Sequence, residues 1–198
     1  MDIAATARYV ERWERRVPWL YLDSRGYVTA AVGYLLTCPS AARSLPWVTP
    51  QGQPATPESI TDAFKRIAGL GVPGQPQPYA ADHFAPLTDI RLPDAAITRL
   101  TVERVQGFVT SLSRAFPDFD RWPAPAQTAT LDWVFNAGVG ALLATQHLAP
   151  ALRAHRWEDA ANACHRAGDD GTPDHPTEHG KRNAETKRLY LQAAGVAS

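Results

Sequence analysis

The sequence predicts an α+β fold in two lobes, mostly helical, with one small antiparallel sheet near the N-terminus. Two observations lead there. Strand-type alternation is confined to residues 19–36, where Tyr27, Val28, Thr29 and Val32 follow a turn at Ser24-Arg25-Gly26. Helical periodicity dominates elsewhere, first from Ile3 and then from Pro93 almost to the C-terminus. A chain of 198 residues is long enough for one good core, or for two lobes sharing a connecting helix.

Ile3, Ala7, Val10, Trp13 and Val17 recur at three- and four-residue steps, so the first helix is expected to run until Pro18 stops it. Glu14 then falls in its last turn, where the negative end of the helix dipole disfavours a carboxylate. Two or three short strands follow in residues 19–36. Residues 37–57 hold five prolines and read as an irregular loop. Thr56 as N-cap, Pro57 at the first helical position and Gly69 or Gly71 at the end bound the next helix. Residues 71–86 are again irregular, and a loop that long is usually functional or wraps a surface. Pro93 and Asp94 open the longest helix, carried by Ile97, Leu100, Val105, Phe108, Val109 and Leu112 and ending near Phe116. Shorter helices are expected over 125–136, 140–154, 157–167 and 181–194, with a polar loop over 168–180. "NAGVG" reads as a helix C-cap. The expected organisation is one domain: a β-containing lobe over about 18–92, a connecting helix over about 94–116, and a helical lobe over about 117–198 that also takes helix 1.

Composition narrows the function classes. Lysine plus arginine and aspartate plus glutamate total 20 each, which argues against a broad basic surface for nucleic acid or anionic lipid. A hydrophobic content of 44% is ordinary for a globular protein. No segment reaches the length of a membrane span, and the N-terminus shows no secretory leader pattern. Cys38 and Cys164 match no metal or redox spacing and read as two largely buried free thiols, with a single long-range disulfide as the alternative.

Glu14 at a helix end, Asp23 on the first arm of a hairpin and Thr29 on the second suit glycoside hydrolysis. That reaction needs one carboxylic acid to protonate the leaving oxygen and a second group on the other side of the sugar. The plain alternative is that Asp23 merely hydrogen-bonds its own turn, Thr29 is a strand residue, and Glu14 pairs with Arg15 or Arg16.

The pattern E-x8-D-x2-G-x2-T-x3-G, here Glu14, Asp23, Gly26, Thr29 and Gly33, resembles the active-site motif of phage-type lysozymes, the T-even endolysin family. "DSRGYVTAAVGYLLT" resembles those enzymes further, as do "LDWVFNAGVG", "RWEDAANAC" and "KRNAETKRLYL", in the family's order. The resemblance covers most of the chain except residues 37–90. It implies a lysozyme-like fold and a muramidase that cleaves the β-1,4 bond between N-acetylmuramic acid and N-acetylglucosamine in peptidoglycan, without cofactor or metal. Glu14 would be the general acid, Asp23 would stabilise positive charge or orient water, and Thr29 would hold the attacking water. The alternative is a covalent intermediate on Asp23. The three are expected to line one cleft between the lobes. Gly33, Tyr34, Leu35, Phe135 and Asn136 would meet substrate, although Phe135 could equally be core. Arg182 aligns with a family arginine that pairs with the acid; a surface charge is its plain alternative. Two positions depart from the family pattern: Ala31 replaces one glycine of an x-Gly-x-Gly stretch, and Tyr34 stands where histidine is common.

His175 and His179 have zinc-like spacing, but the prolines and glycine around them forbid the helix that would make it a site. "FPDFDRWPAPAQTATLDWVFNAGVG" and "CHRAG" resemble the muramidase domains of type VI secretion effectors more than simple endolysins. Such a monomeric toxin would be made in the cytoplasm, reach the periplasm of a rival cell through a secretion-system carrier, and be blocked by a cognate immunity protein. A glycosidase for chitin-like polymers and a non-catalytic peptidoglycan-binding module are the competing readings.

Overall fold

The computed structural model describes residues 2–166 and 178–195. The described residues are mostly helical, and three strands among them form one antiparallel sheet near the N-terminus, as the α+β expectation requires. In order the elements are α1 (Ile3–Glu11), β1 (Val17–Leu22), β2 (Val28–Ala31), β3 (Tyr34–Leu35), α2 (Pro39–Arg43), α3 (Pro57–Ala68), α4 (Asp94–Ala115), α5 (Ala124–Ala137), α6 (Val139–Leu143), α7 (Leu148–Arg153), α8 (Trp157–Ala163) and α9 (Glu178–Ala193). They fall into two compact units, a sheet unit of Glu14–Arg104 and a helical unit of Met1–Trp13 with Val105–Ser198, so the division lies inside α4.

In the sheet unit the strand order is β1-β2-β3, with Tyr21 opposite Thr29, Leu22 opposite Val28 and Ala30 opposite Tyr34. Because opposite residues share a face, Tyr21, Thr29 and Leu35 project together, and Leu22, Val28 and Ala30 project the other way. α3 packs on β1 and β2, burying Ile60, Phe64 and Ile67. Its bounds follow the local signals: the Thr56 hydroxyl accepts from Ser59 N–H at 3.2 Å, Pro57 leads, and Gly69 caps the end. The proline-rich stretch after β3 is less irregular than expected, since Pro39 starts the short α2, where a missing N–H is harmless. Residues 71–86 wrap the hairpin. Gly74 N–H donates to Arg25 O at 2.8 Å, and the Gln77 amide donates to Leu22 O at 3.0 Å. Gly26 has φ +73°, and a Cβ there would stand 2.6 Å from Val72 O, so only glycine lets the strap close.

The first helix ends earlier than its periodicity predicts, at Glu11, and Glu14 lies three residues beyond it rather than in its last turn. Pro18 does not stop a helix; it is the second residue of β1, an edge strand, where a missing donor is tolerated. Val17, the residue before proline, is driven to extended geometry, so the chain must leave the helix before it.

In the helical unit α5 is buried along nearly its whole length and packs on α1 and α9, while α8 packs on α9. Asp132 sits in the middle of α5, fully buried. Its carboxylate accepts from Arg166 Nη2 at 2.6 Å, Arg182 Nε at 3.0 Å and the Thr186 hydroxyl at 3.1 Å. Burial pulls Arg166 below the usual arginine range, and Asp132 pushes it back up. Removing one partner from a buried pair of this kind typically costs about 3–5 kcal/mol, because the charge left behind is unpaired. The single helix expected over 140–154 is two, α6 and α7. Pro150 lies in the first turn of α7, and its ring would clash with the carbonyl of Gln146 in a continuous helix. The Thr145 hydroxyl accepts from Ala149 N–H at 2.9 Å in the gap. α8 ends at Ala163, short of the expected 167, and α9 starts at Glu178, inside the stretch expected to be loop. The rest of that stretch, with His175, lies outside the described residues, as does the side chain of His179.

Both cysteines are free. A hydrogen bond with Ser40 is the largest influence lowering the Cys38 thiol, to about 7, whereas burial raises Cys164 to about 11. A thiol-alkylating reagent should therefore modify Cys38 alone in the folded protein. Its rate should rise as pH passes through 7 and level off by about pH 8, because thiolate is the nucleophile. Mass spectrometry of the labelled protein reads the site. Equal labelling of Cys164 without denaturant would contradict the burial.

Candidate active site

The hairpin between β1 and β2 is organised by Asp23. Its N–H donates to Tyr27 O at 2.9 Å, and its carbonyl accepts from Gly26 N–H at 2.9 Å. Asp23 Oδ1 accepts from the N–H groups of both Arg25 and Tyr27 at 2.9 Å, the Asx-type turn expected of aspartate in this setting. The carboxylate is thus held rigidly by one oxygen, and Oδ2 takes no part in the turn. Thr29 is 2% exposed, and its hydroxyl donates to Tyr27 O at 3.0 Å. The open, water-facing hydroxyl expected from the motif is instead a buried group bonded to its own strand.

Glu14 is half-buried in the segment between α1 and β1. Its surroundings in the sheet unit can be read from two neighbours. Tyr21 has its phenol pushed up to about 12, chiefly by burial. The negative charges of Asp23 and Glu14 push it the same way, while Arg104 and a hydrogen bond with the Gly33 backbone pull it down. Arg104 is lowered by burial and raised by Glu14 and then Tyr21. Two carboxylates nine residues apart thus raise one phenol, and Glu14 also raises the guanidinium that lowers it.

Arg104 also reaches the turn after β2. Its Nη1 donates to Val32 O at 2.7 Å and to Gly33 O. Gly33 has φ +65°, and a Cβ there would lie 2.6 Å from Arg104 Nη1, so the glycine predicted to face substrate serves first as the seat of this cation. Ala31, at the position of the lost family glycine, has φ +55°, a left-handed conformation that an alanine adopts only under strain. Tyr34 is half-buried and Leu35 is 48% exposed. Leu35, Tyr27, Phe64 and Pro73 border an apolar pocket of about 280 Å³ beside the hairpin.

The sheet unit therefore holds Glu14, Asp23, Thr29, Gly33, Tyr34 and Leu35, and the helical unit holds Phe135, Asn136 and Arg182. Phe135 is buried with its ring edge-on to Phe108 at 5.8 Å, and Asn136 is exposed near the end of α5. Arg182 is 4% exposed and bound to Asp132, so it is no surface charge.

No protein-family model matches the chain, and no curated protein matches it in sequence. Among the described residues no three His, Cys, Asp or Glu side chains gather as metal ligands would, and no helix is long and apolar enough to cross a membrane.

Sequence reasoning missed Arg104 and Tyr21. A signal existed for each. Arg104 interrupts the apolar stripe of Ile97, Leu100 and Phe108, and Tyr21 shares a strand face with Asp23.

Gly33→Ala should destabilise the protein by about 1–2 kcal/mol from the left-handed backbone alone, and further by displacing Arg104. Urea denaturation measures it. A midpoint equal to wild type would mean that the turn does not depend on this glycine.

Proposed function

We propose that the chain is a peptidoglycan muramidase that hydrolyses the β-1,4 bond between N-acetylmuramic acid and N-acetylglucosamine. The observation that supports the reading is the Asp23 carboxylate fixed by its turn, with Asp23 and Glu14 both adding to the rise that burial gives the Tyr21 phenol. Two carboxyl groups held near one another are what glycoside hydrolysis requires.

In this reading Glu14 gives its proton to the glycosidic oxygen as the bond to the anomeric carbon breaks. Water adds to that carbon, and Asp23 Oδ2 accepts its proton while Oδ1 stays anchored to Arg25 and Tyr27. In this reading the Thr29 oxygen would accept from the nucleophilic water; in the structure the hydroxyl is buried and donates to Tyr27 O. The exposed Leu35 and neighbouring Tyr34 give the sugar an apolar contact. Delivery by a secretion system into the periplasm of a competing bacterium, with an immunity protein as the producer's protection, belongs to the same proposal. It rests on the resemblance in the central helices.

A second reading has two observations in its favour. Thr29 is buried and Asp23 is partly occupied by its turn, as in a module that binds peptidoglycan without cutting it.

Glu14→Gln decides between them. Its amide cannot supply the proton, so reducing-end release from sacculi should fall by roughly 100- to 10,000-fold with the fold intact. Asp23→Asn should be comparably severe. Activity within a few-fold of wild type in folded Glu14→Gln protein removes the acid assignment, and wild-type protein that sediments with sacculi but releases nothing selects the binding module.

A further inference from the structure

We propose that the stacked rings of Tyr79 and His83 form a sugar-binding platform that holds a β-1,4-linked N-acetylhexosamine of the glycan strand. The inference rests on the muramidase reading for its ligand and on the sheet unit for its geometry.

The strap of residues 77–84 is fastened at three points to the chain between Glu14 and Asp23. The Gln77 amide donates to Leu22 O at 3.0 Å, one residue before Asp23. The Trp19 indole donates to Ala81 O at 2.8 Å. Arg15, the residue after Glu14, pairs with the Asp82 carboxylate. The strap therefore reaches from the neighbour of one candidate carboxylate to the neighbour of the other. The lysozyme resemblance leaves out residues 37–90, so it assigns these rings no role.

Tyr79 and His83 lie nearly parallel on this strap, with ring centroids 4.0 Å apart and planes 10° from each other. Phe84 is wholly buried, and its ring stands perpendicular to both. Stacking uses one face of each ring. Tyr79 is nevertheless 49% exposed, and His83 is exposed, so aromatic surface is left for a ligand. Loop residues are ordinarily mobile, but Tyr79 is held at both its backbone groups. Its N–H donates to Gln77 Oε1 at 2.7 Å, and its carbonyl accepts from Gln77 Nε2 at 2.8 Å. Fixing an exposed ring in advance lowers the ordering cost of binding to it. A pair that served packing alone would be covered, as Phe84 is.

In a β-1,4-linked N-acetylhexosamine the ring substituents are equatorial, so both faces of the chair present axial C–H bonds. Those bonds carry slight positive charge, which the negative face of an aromatic ring attracts. The tyrosine hydroxyl and the imidazole nitrogens can exchange hydrogen bonds with sugar hydroxyl and acetamido groups.

Such a platform grips the strand equally before and during bond cleavage, so its loss should appear in KM and not in kcat. On soluble, uncrosslinked glycan strands, Tyr79→Leu keeps apolar bulk without a ring face. It should raise KM about 10-fold while kcat stays within about 3-fold of wild type. Tyr79→Trp should keep KM within about 3-fold of wild type, because the ring face is retained. Thermal melting checks that both variants fold. A second measurement needs no variant at the tyrosine. Chitotetraose added to wild-type protein should shift the His83 ring signals in NMR spectra, assigned with His83→Gln. A folded Tyr79→Leu protein with wild-type KM, or with kcat lost at unchanged KM, overturns the platform. So does a Tyr79→Trp protein as impaired as Tyr79→Leu, or a titration that leaves the His83 signals unmoved. If wild-type protein releases reducing ends and only these tests fail, the platform falls and the muramidase reading stands. If wild-type protein releases none, the muramidase reading falls and the titration alone decides the platform.

Discussion

A guanidinium partly withdrawn from water must find acceptors, and in the sheet unit that requirement shapes the chain around Arg104. It uses Val32 and Gly33 carbonyls at the end of β2, which fixes the turn into β3 and excludes any side chain at residue 33. The same group pulls the Tyr21 phenol down against its burial, and Glu14 raises Arg104 itself. One half-buried cation thus ties the middle of α4 to the turn after β2. Asp23 performs the corresponding service at the other end of the hairpin, where two backbone N–H groups converge on one of its oxygens. Between these anchors β2 is buried at all four of its residues, and Thr29 is held with them.

The helical unit solves a similar problem differently. Asp132 lies on the buried α5 and is matched by Arg166 and Arg182 from segments 34 and 50 residues away, with Thr186 and Asn183 completing the hydrogen bonds. Arrangements of this kind contribute little net stability relative to apolar packing, but they are costly to leave half-made. α5 and α9 consequently have one register in which all the partners meet.

How much of this could be read from the sequence depended on the range of the interaction. The start of α3 was legible to the residue because Thr56 and Pro57 act within a single turn, and its end falls at Gly69, the first of the two glycines named for it. The start of α4 at Asp94 was legible for the same reason. The end of α1 was not, because Trp13 and Val17 continue the helical spacing beyond the point where Val17 must already be extended. The break between α6 and α7 needed the reach of the Pro150 ring to be weighed against the apolar pattern. At the candidate site, the motif named Glu14, Asp23 and Thr29; burial raises the Tyr21 phenol most, and Asp23 and Glu14 raise it further. It also shows that Thr29 turns its hydroxyl to Tyr27 O, a rotamer choice that no spacing encodes. Arg104 escaped notice because its partners lie more than 70 residues away.

The proposed activity is a bond-specific cleavage, and the bond broken is its most direct test. Intact sacculi digested with the wild-type protein in 18O-labelled water would be resolved by mass spectrometry and by NMR of the fresh anomeric centres. The muramidase reading predicts new reducing ends on N-acetylmuramic acid that carry one 18O atom and appear first as the inverted, α anomer. New reducing ends on N-acetylglucosamine, 1,6-anhydro products without label, or no new ends at all would contradict it.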